Sequence, residues 1–201
     1  MSNHLHPFYL ILDNADWIER LVPHGVKLVQ LRFKNKHNDL IREEISRAKS
    51  ICKKHDCQLI INDYWQAAID LKCNYIHLGQ EDLNTADIGA IKKAGIKFGI
   101  STHNETELDR ALSLDPNYIA LGPIFNTSTK TVGHAPQGLE KITRWKQLIG
   151  NLPLVAIGGI NIESAPHIFK AQADSIAIIS DVTKNTSPEK RIKTWIETVT
   201  K

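Results

Sequence analysis

VQLRFKNK, Val29 to Lys36, is the stretch that decides how this chain is read. A strand-like apolar run ends in it and gives way at once to cationic and amide side chains. The same change of character recurs in INDYW (Ile61 to Trp65), HLGQED (His77 to Asp82) and GPIFNTSTK (Gly122 to Lys130). A barrel of parallel strands exposes chemistry in this way, because its strands are buried on both faces and its polar groups collect at one rim. Outward from these strings, apolar runs recur at intervals of roughly twenty to thirty residues, each followed by a helix-like stretch.

The runs predict strands over Phe8 to Leu12, Lys27 to Leu31, Gln58 to Ile61, Tyr75 to Leu78, Lys97 to Ile100, Tyr118 to Leu121, Leu154 to Ile157 and Ser175 to Ile179. A helix is expected after each. The one over Asp39 to His55 should set Leu40, Ile41, Ile45, Ala48 and Ile51 on one face. Eight strand-then-helix units within 201 residues match a single (β/α)8 TIM-type barrel over residues 1–201. A doubly wound sheet shares the alternation but more often stops at five or six strands. One connection, Asn126 to Gly138, is long and rich in Thr, Ser, Gly and Pro, as functional loops are.

Net charge is +3, with no basic stripe interleaved with aromatics, so neither a nucleic-acid nor a membrane partner is expected. A modest positive bias suits anionic small molecules. The N-terminal apolar run lacks the flanks of a signal peptide, and no run reaches the ~20 residues of a membrane helix. The three cysteines form no C-x-x-C pair, which fits a reducing cytoplasm. A zinc site on Cys52, His55 and Cys57 is disfavoured, since no fourth ligand lies nearby.

Asp63 and Asp82 follow adjacent predicted strands, which lie ~4.8 Å apart, so both carboxylates can reach one ion above the rim. Mg2+ is held in this manner, by one or two carboxylates with substrate phosphate and water. The plainer reading of Asp63 is a helix cap, because N-D before a helix is an ordinary start signal. Arg32 and Lys34 alternate, so their heads converge on one anion, and Gln30 shares their face and suits a heterocycle. Thr127, Ser128, Thr129 and Lys130 offer hydroxyls, amides and an ammonium to phosphate. Gly158 and Gly159, after the seventh strand, let backbone amides approach an anion. Ser101 and His103 end the fifth strand within reach of a substrate, whereas His77 reads as a satisfied core or rim histidine. No hydrolase triad, H-E-x-x-H or P-loop pattern is present.

In order along the chain, QLRFK, NDYW, HLGQEDL, GISTH, GPIFNTSTK, PQG, VAIGGI and IAIIS resemble the thiamine phosphate synthase family. The resemblance implies a TIM-type barrel that joins a hydroxymethylpyrimidine diphosphate to a thiazole phosphate, giving thiamine phosphate and pyrophosphate with magnesium. It implies that Gln30, Leu31, Arg32, Phe33, Lys34 and Asn62 contact the pyrimidine diphosphate and that Asp63 and Asp82 hold the metal. It implies Ser101 beside the pyrimidine and Lys130 on the diphosphate. Thr127 to Thr129, Gly159, Ile179 and Ser180 are implied for the thiazole phosphate. Two departures stand out. Tyr64 occupies a position where many relatives carry Arg, and Asp181 follows Ser180 where a small residue is common; a carboxylate there repels phosphate unless it points away. An aminopyrimidine ring stabilises a cation at the departing carbon, so C–O cleavage is expected to run ahead of nitrogen attack, with no protein nucleophile. Two rivals remain open: a related barrel that isomerises a thiazole phosphate through His103 or His134, and a non-catalytic binding barrel.

Overall fold

The computed structural model describes residues 5–35, 37–127 and 135–200. Eight parallel strands close into a barrel in chain order, each paired to its sequence neighbours and the last to the first. They are β1 (Phe8–Leu12), β2 (Leu28–Leu31), β3 (Gln58–Asn62), β4 (Tyr75–Leu78), β5 (Lys97–Thr102), β6 (Tyr118–Leu121), β7 (Leu154–Ile157) and β8 (Ser175–Ile178). The helices are α1 (Ala15–Leu21), α2 (Asn38–Lys54), α3 (Trp65–Asp70), α4 (Ile88–Lys93), α5 (Glu105–Ser113), α6 (Gly138–Ile149), α7 (Ala165–Lys170), α8 (Ser180–Thr183) and α9 (Pro188–Val199). The TIM-type barrel expected from the alternation is the fold observed.

Strand alternation divides the core in two. In β1, Phe8, Leu10 and Leu12 pack outward into the layer between strands and helices, while Tyr9 and Ile11 pack inside the barrel. Leu28, Ile60, Tyr75, Tyr118, Ala120, Val155 and Ala177 complete the interior. Tyr118 fits because its neighbour across the β5–β6 pair is Gly99, where a Cβ would fall 2.1 Å from the phenol ring.

Several boundaries differ from the sequence expectation for local reasons. On α2 the buried stripe is Ile41, Ile45, Ala48 and Cys52; Leu40 lies one residue off it and is 45% exposed. The helix expected after β4 starts only at Ile88, where the Asp87 side chain accepts the Ala90 N–H at 2.8 Å. β8 stops at Ile178, and the short helix α8, not expected from the sequence, starts at Ser180. Among the described residues no helix is long and apolar enough to cross a membrane.

Candidate active site

The C-terminal ends of the strands surround a cavity of about 590 Å³. Gln30, Arg32 and Lys34 line it from β2 and the turn that follows, as alternation requires. Leu31 and Phe33 do not: Leu31 is buried in the strand–helix layer and Phe33 packs against that layer. A contact of Leu31 with a ligand at the mouth would therefore come from its main chain.

Asn62 and Asp63 come from the end of β3. Asp63 has a left-handed backbone (φ 64), held by its own N–H donating to the His77 carbonyl at 2.9 Å. It does not cap α3; the capping position is Tyr64, which makes no side-chain cap bond. The Asp63 carboxylate pairs instead with Lys34 and meets Asp82. Asp82 accepts the Gly79 N–H at 2.9 Å, which anchors it at the β4 side of the mouth. Burial, reinforced by the neighbouring Asp63 charge, pushes the Asp82 carboxyl above the usual carboxylate range. Two carboxylates and two cationic heads thus share one opening. Asn62 is 5% exposed, and its Nδ2 has no hydrogen-bond partner although it borders the cavity.

A recess of about 230 Å³ adjoins the cavity and is lined by Asn126, Thr127, Gly159, Ile160, Ser180, Asp181 and Lys184. Gly159 must be glycine twice over: its φ is +67, and a Cβ would fall 2.4 Å from the Asn126 carbonyl oxygen. Ile179 and Ser180 border the main cavity as well. The Asp181 carboxylate is tied down, accepting from Arg191 at 2.8 and 2.9 Å and from the Trp195 indole N–H at 2.6 Å. The Arg191 guanidinium offsets its charge, which lowers its repulsion towards an anion in the recess. Ser128, Thr129, Lys130 and His134 lie outside the described residues.

At the cavity floor, Tyr9 and Tyr118, which the sequence reading passed over, join residues that it named. Tyr9 and Tyr118 meet through their hydroxyls at 3.1 Å, and Gln30 Nε2 donates to Tyr9 at 2.6 Å. His77 stacks on Tyr118 and is held at both nitrogens, Nδ1 by the Tyr118 hydroxyl (2.7 Å) and Nε2 by Ser101 Oγ (2.8 Å). Burial lowers its pKa to about 4. His103 pairs through Nδ1 with Glu107 at 2.7 Å, and both border the cavity. Lys184 was missed because nothing local distinguishes it from a surface lysine. Cys52, Cys57 and Cys73 are buried free thiols. Among the described residues no three His, Cys, Asp or Glu side chains gather to hold a metal, the Asp63–Asp82 pair being one of two.

Comparison with known proteins points one way. A family profile described as thiamine monophosphate synthase matches residues 8–182. A thiamine-phosphate synthase of Rhizobium etli is 55% identical over 192 residues, covering 96% of this chain and 94% of that protein. One of Neisseria meningitidis serogroup A is 45% identical over 188 residues, covering 94% and 92%. The solved thiamine phosphate pyrophosphorylase of Pyrococcus furiosus superposes with a TM-score of 0.84 at 24% identity, covering 96% of this chain and 95% of that one, and so shares the fold.

Proposed function

The chain belongs to the thiamine monophosphate synthase family, transferases that condense the pyrimidine and thiazole moieties of thiamine, and from that premise we propose the substrates and the division of labour. The pyrimidine partner is 4-amino-2-methyl-5-hydroxymethylpyrimidine diphosphate, and the acceptor is a thiazole phosphate. The products are thiamine phosphate and pyrophosphate. The observation that carries this reading is the convergence of Arg32, Lys34, Asp63 and Asp82 at one opening above the cavity.

The residues present fit a magnesium ion. Asp63 and Asp82 are in contact, and the raised Asp82 carboxyl reports negative charge crowded into a partly desolvated place. A divalent cation relieves that crowding, and oxygen ligands of this type suit magnesium. When bound, magnesium supplies positive charge to the diphosphate oxygens.

Arg32 and Lys34 bind the departing diphosphate and stabilise the charge that builds on it. Gln30, Asn62 and Ser101 border the space for the ring, and the unpaired Asn62 Nδ2 offers it a donor. Thr127, Gly159, Ser180 and Lys184 line a recess of phosphate character beside it. Electron release from the aminopyrimidine ring lets C–O cleavage lead, and anchoring the thiazole there holds its nitrogen near the pyrimidine carbon for the attack that follows. Lys130 is assigned to the diphosphate by family resemblance. A cytoplasmic location belongs to the same reading and is supported by the three free, buried thiols.

The test is pyrophosphate release on mixing both substrates with magnesium. The Asp63→Ala, Asp82→Ala double variant, shown to be folded by circular dichroism, should lose at least ~10²–10³ in rate. A folded double variant with full activity rejects the metal assignment. Release of pyrophosphate by neither protein rejects the substrates.

A further inference from the structure

We propose that Gln30, Tyr9, Tyr118 and His77 form a one-way hydrogen-bond chain that makes Ser101 a donor towards the pyrimidine ring, with Tyr9, Tyr118 and His77 as positioning residues. This rests on the reading of the cavity as a pyrimidine site. The direction follows from counting hydrogens.

An amide nitrogen only donates, so Gln30 Nε2 donates to the Tyr9 oxygen at 2.6 Å. Tyr9 has one hydrogen and is 1% exposed. Its other hydrogen-bond contact is the Tyr118 hydroxyl at 3.1 Å, so Tyr9 donates there. The Tyr118 hydrogen then goes to His77 Nδ1 at 2.7 Å. A neutral imidazole that accepts at Nδ1 carries its proton at Nε2, and His77 Nε2 donates to Ser101 Oγ at 2.8 Å. One lone pair of the Ser101 oxygen is thereby used, and its own hydrogen, which the protonated Nε2 cannot accept, is left for the cavity it borders. The reverse order would leave the Tyr9 hydrogen without an acceptor in a buried place, which costs stability.

One further observation agrees. The His77 ring lies over Tyr118, with centroids 5.6 Å apart and planes inclined by 19°, so the orientation of both rings is set by packing as well. The chain crosses β2, β1, β6, β4 and β5, so the barrel closure itself assembles it. An aminopyrimidine offers acceptor ring nitrogens along one part of its edge and a donor amino group along another. The Ser101 hydrogen gives the ring-nitrogen edge a donor at this point of the cavity.

The tautomer is read directly from long-range 1H–15N correlation spectra of the unliganded protein labelled with 15N-histidine, the His77 signals being those lost in His77→Gln. The expected form carries hydrogen at Nε2 in the wild type and in Tyr9→Phe, where Tyr118 still donates to Nδ1. Tyr118→Phe keeps the ring and removes the donor, so the tautomers should mix. In that variant the KM for the pyrimidine diphosphate should rise about tenfold, while kcat and the thiazole KM stay within about threefold, as expected for one lost ground-state hydrogen bond. An Nδ1–H tautomer in the wild type overturns the chain whatever the activity. So does Tyr118→Phe with an unchanged tautomer and pyrimidine KM. A wild type that shows Nε2–H but makes no product supports the chain and sinks the substrate assignment.

Discussion

Acidification should unfold this barrel through one residue before most others. His77 has a pKa of about 4 in the folded chain, chiefly because burial disfavours its charged form, with Arg32 and Lys34 acting in the same direction against Asp63. In the unfolded chain it returns to 6.5. Between those values the unfolded state binds a proton that the folded state refuses, so stability rises with pH across the window. The contribution is complete above 6.5, falls as the pH drops, and is gone below about 4. The whole drop is worth about 3 kcal/mol, of which about 2 kcal/mol is lost by about pH 4.5. With an m-value of about 2 kcal/mol/M, that is a shift of about 1 M in the urea midpoint. Asp82 titrates in the opposite sense, because its folded pKa is raised. The wild type alone would therefore mix the two effects. The comparison with His77→Gln separates them, since every other group is common to both proteins. The wild type should lose about 2 kcal/mol more than His77→Gln between about pH 7 and pH 4.5. Parallel loss in the two proteins would falsify the assignment of a buried, neutral imidazole.

Three other outcomes follow from the same geometry. Asn62→Leu removes a buried donor that has no partner, so thermal stability should hold or rise while the KM for the pyrimidine diphosphate climbs at least about tenfold; a loss of stability without a change in KM would assign Asn62 a packing role alone. Gly159→Ala puts a Cβ at 2.4 Å from the Asn126 carbonyl oxygen and forces a positive φ on alanine, so calorimetry should show a loss of about 1–3 kcal/mol, together with weaker binding of the thiazole phosphate. Asp181→Ala strands the Arg191 guanidinium and the Trp195 indole N–H, and should cost about 1–3 kcal/mol in urea unfolding; an unchanged midpoint would show that water replaces the carboxylate at both donors.

The rim of this site was legible in the sequence because of the strand ends. A strand buried on both faces is apolar until it leaves the barrel, so Arg32, Lys34 and Asp63 interrupt a pattern that would otherwise continue. Alternation then separates Gln30, Arg32 and Lys34, which reach the cavity, from Leu31 and Phe33, which do not. The contact between Asp63 and Asp82 was less readable, because it depends on a left-handed residue at the end of β3 and a carboxylate folded back onto Gly79. Local order also misled in small ways: Leu40 looks like part of the α2 stripe until Cys52 extends the true one by a turn.

The floor escaped notice for the opposite reason. Tyr9 and Tyr118 stand inside apolar strands, where an aromatic is an ordinary core residue, and one hydroxyl is too little to mark them. Their meaning emerges only when closure of the barrel sets β1, β6 and β4 around a common axis. Phenylalanine would fill the same volume at both positions, so packing does not account for the hydroxyls. Each hydroxyl would be a liability in a dry interior unless it had partners, and here each has them: Gln30 and Tyr118 for Tyr9, Tyr9 and His77 for Tyr118. The polar atoms on the floor thus form a run that starts at a fixed donor and ends at a hydroxyl facing the cavity. In the reaction proposed above, a site that holds a flat heterocycle while a diphosphate departs needs polarity that does not move. Rim side chains on turns cannot supply that alone, and a hydrogen-bonded floor spread over five strands can.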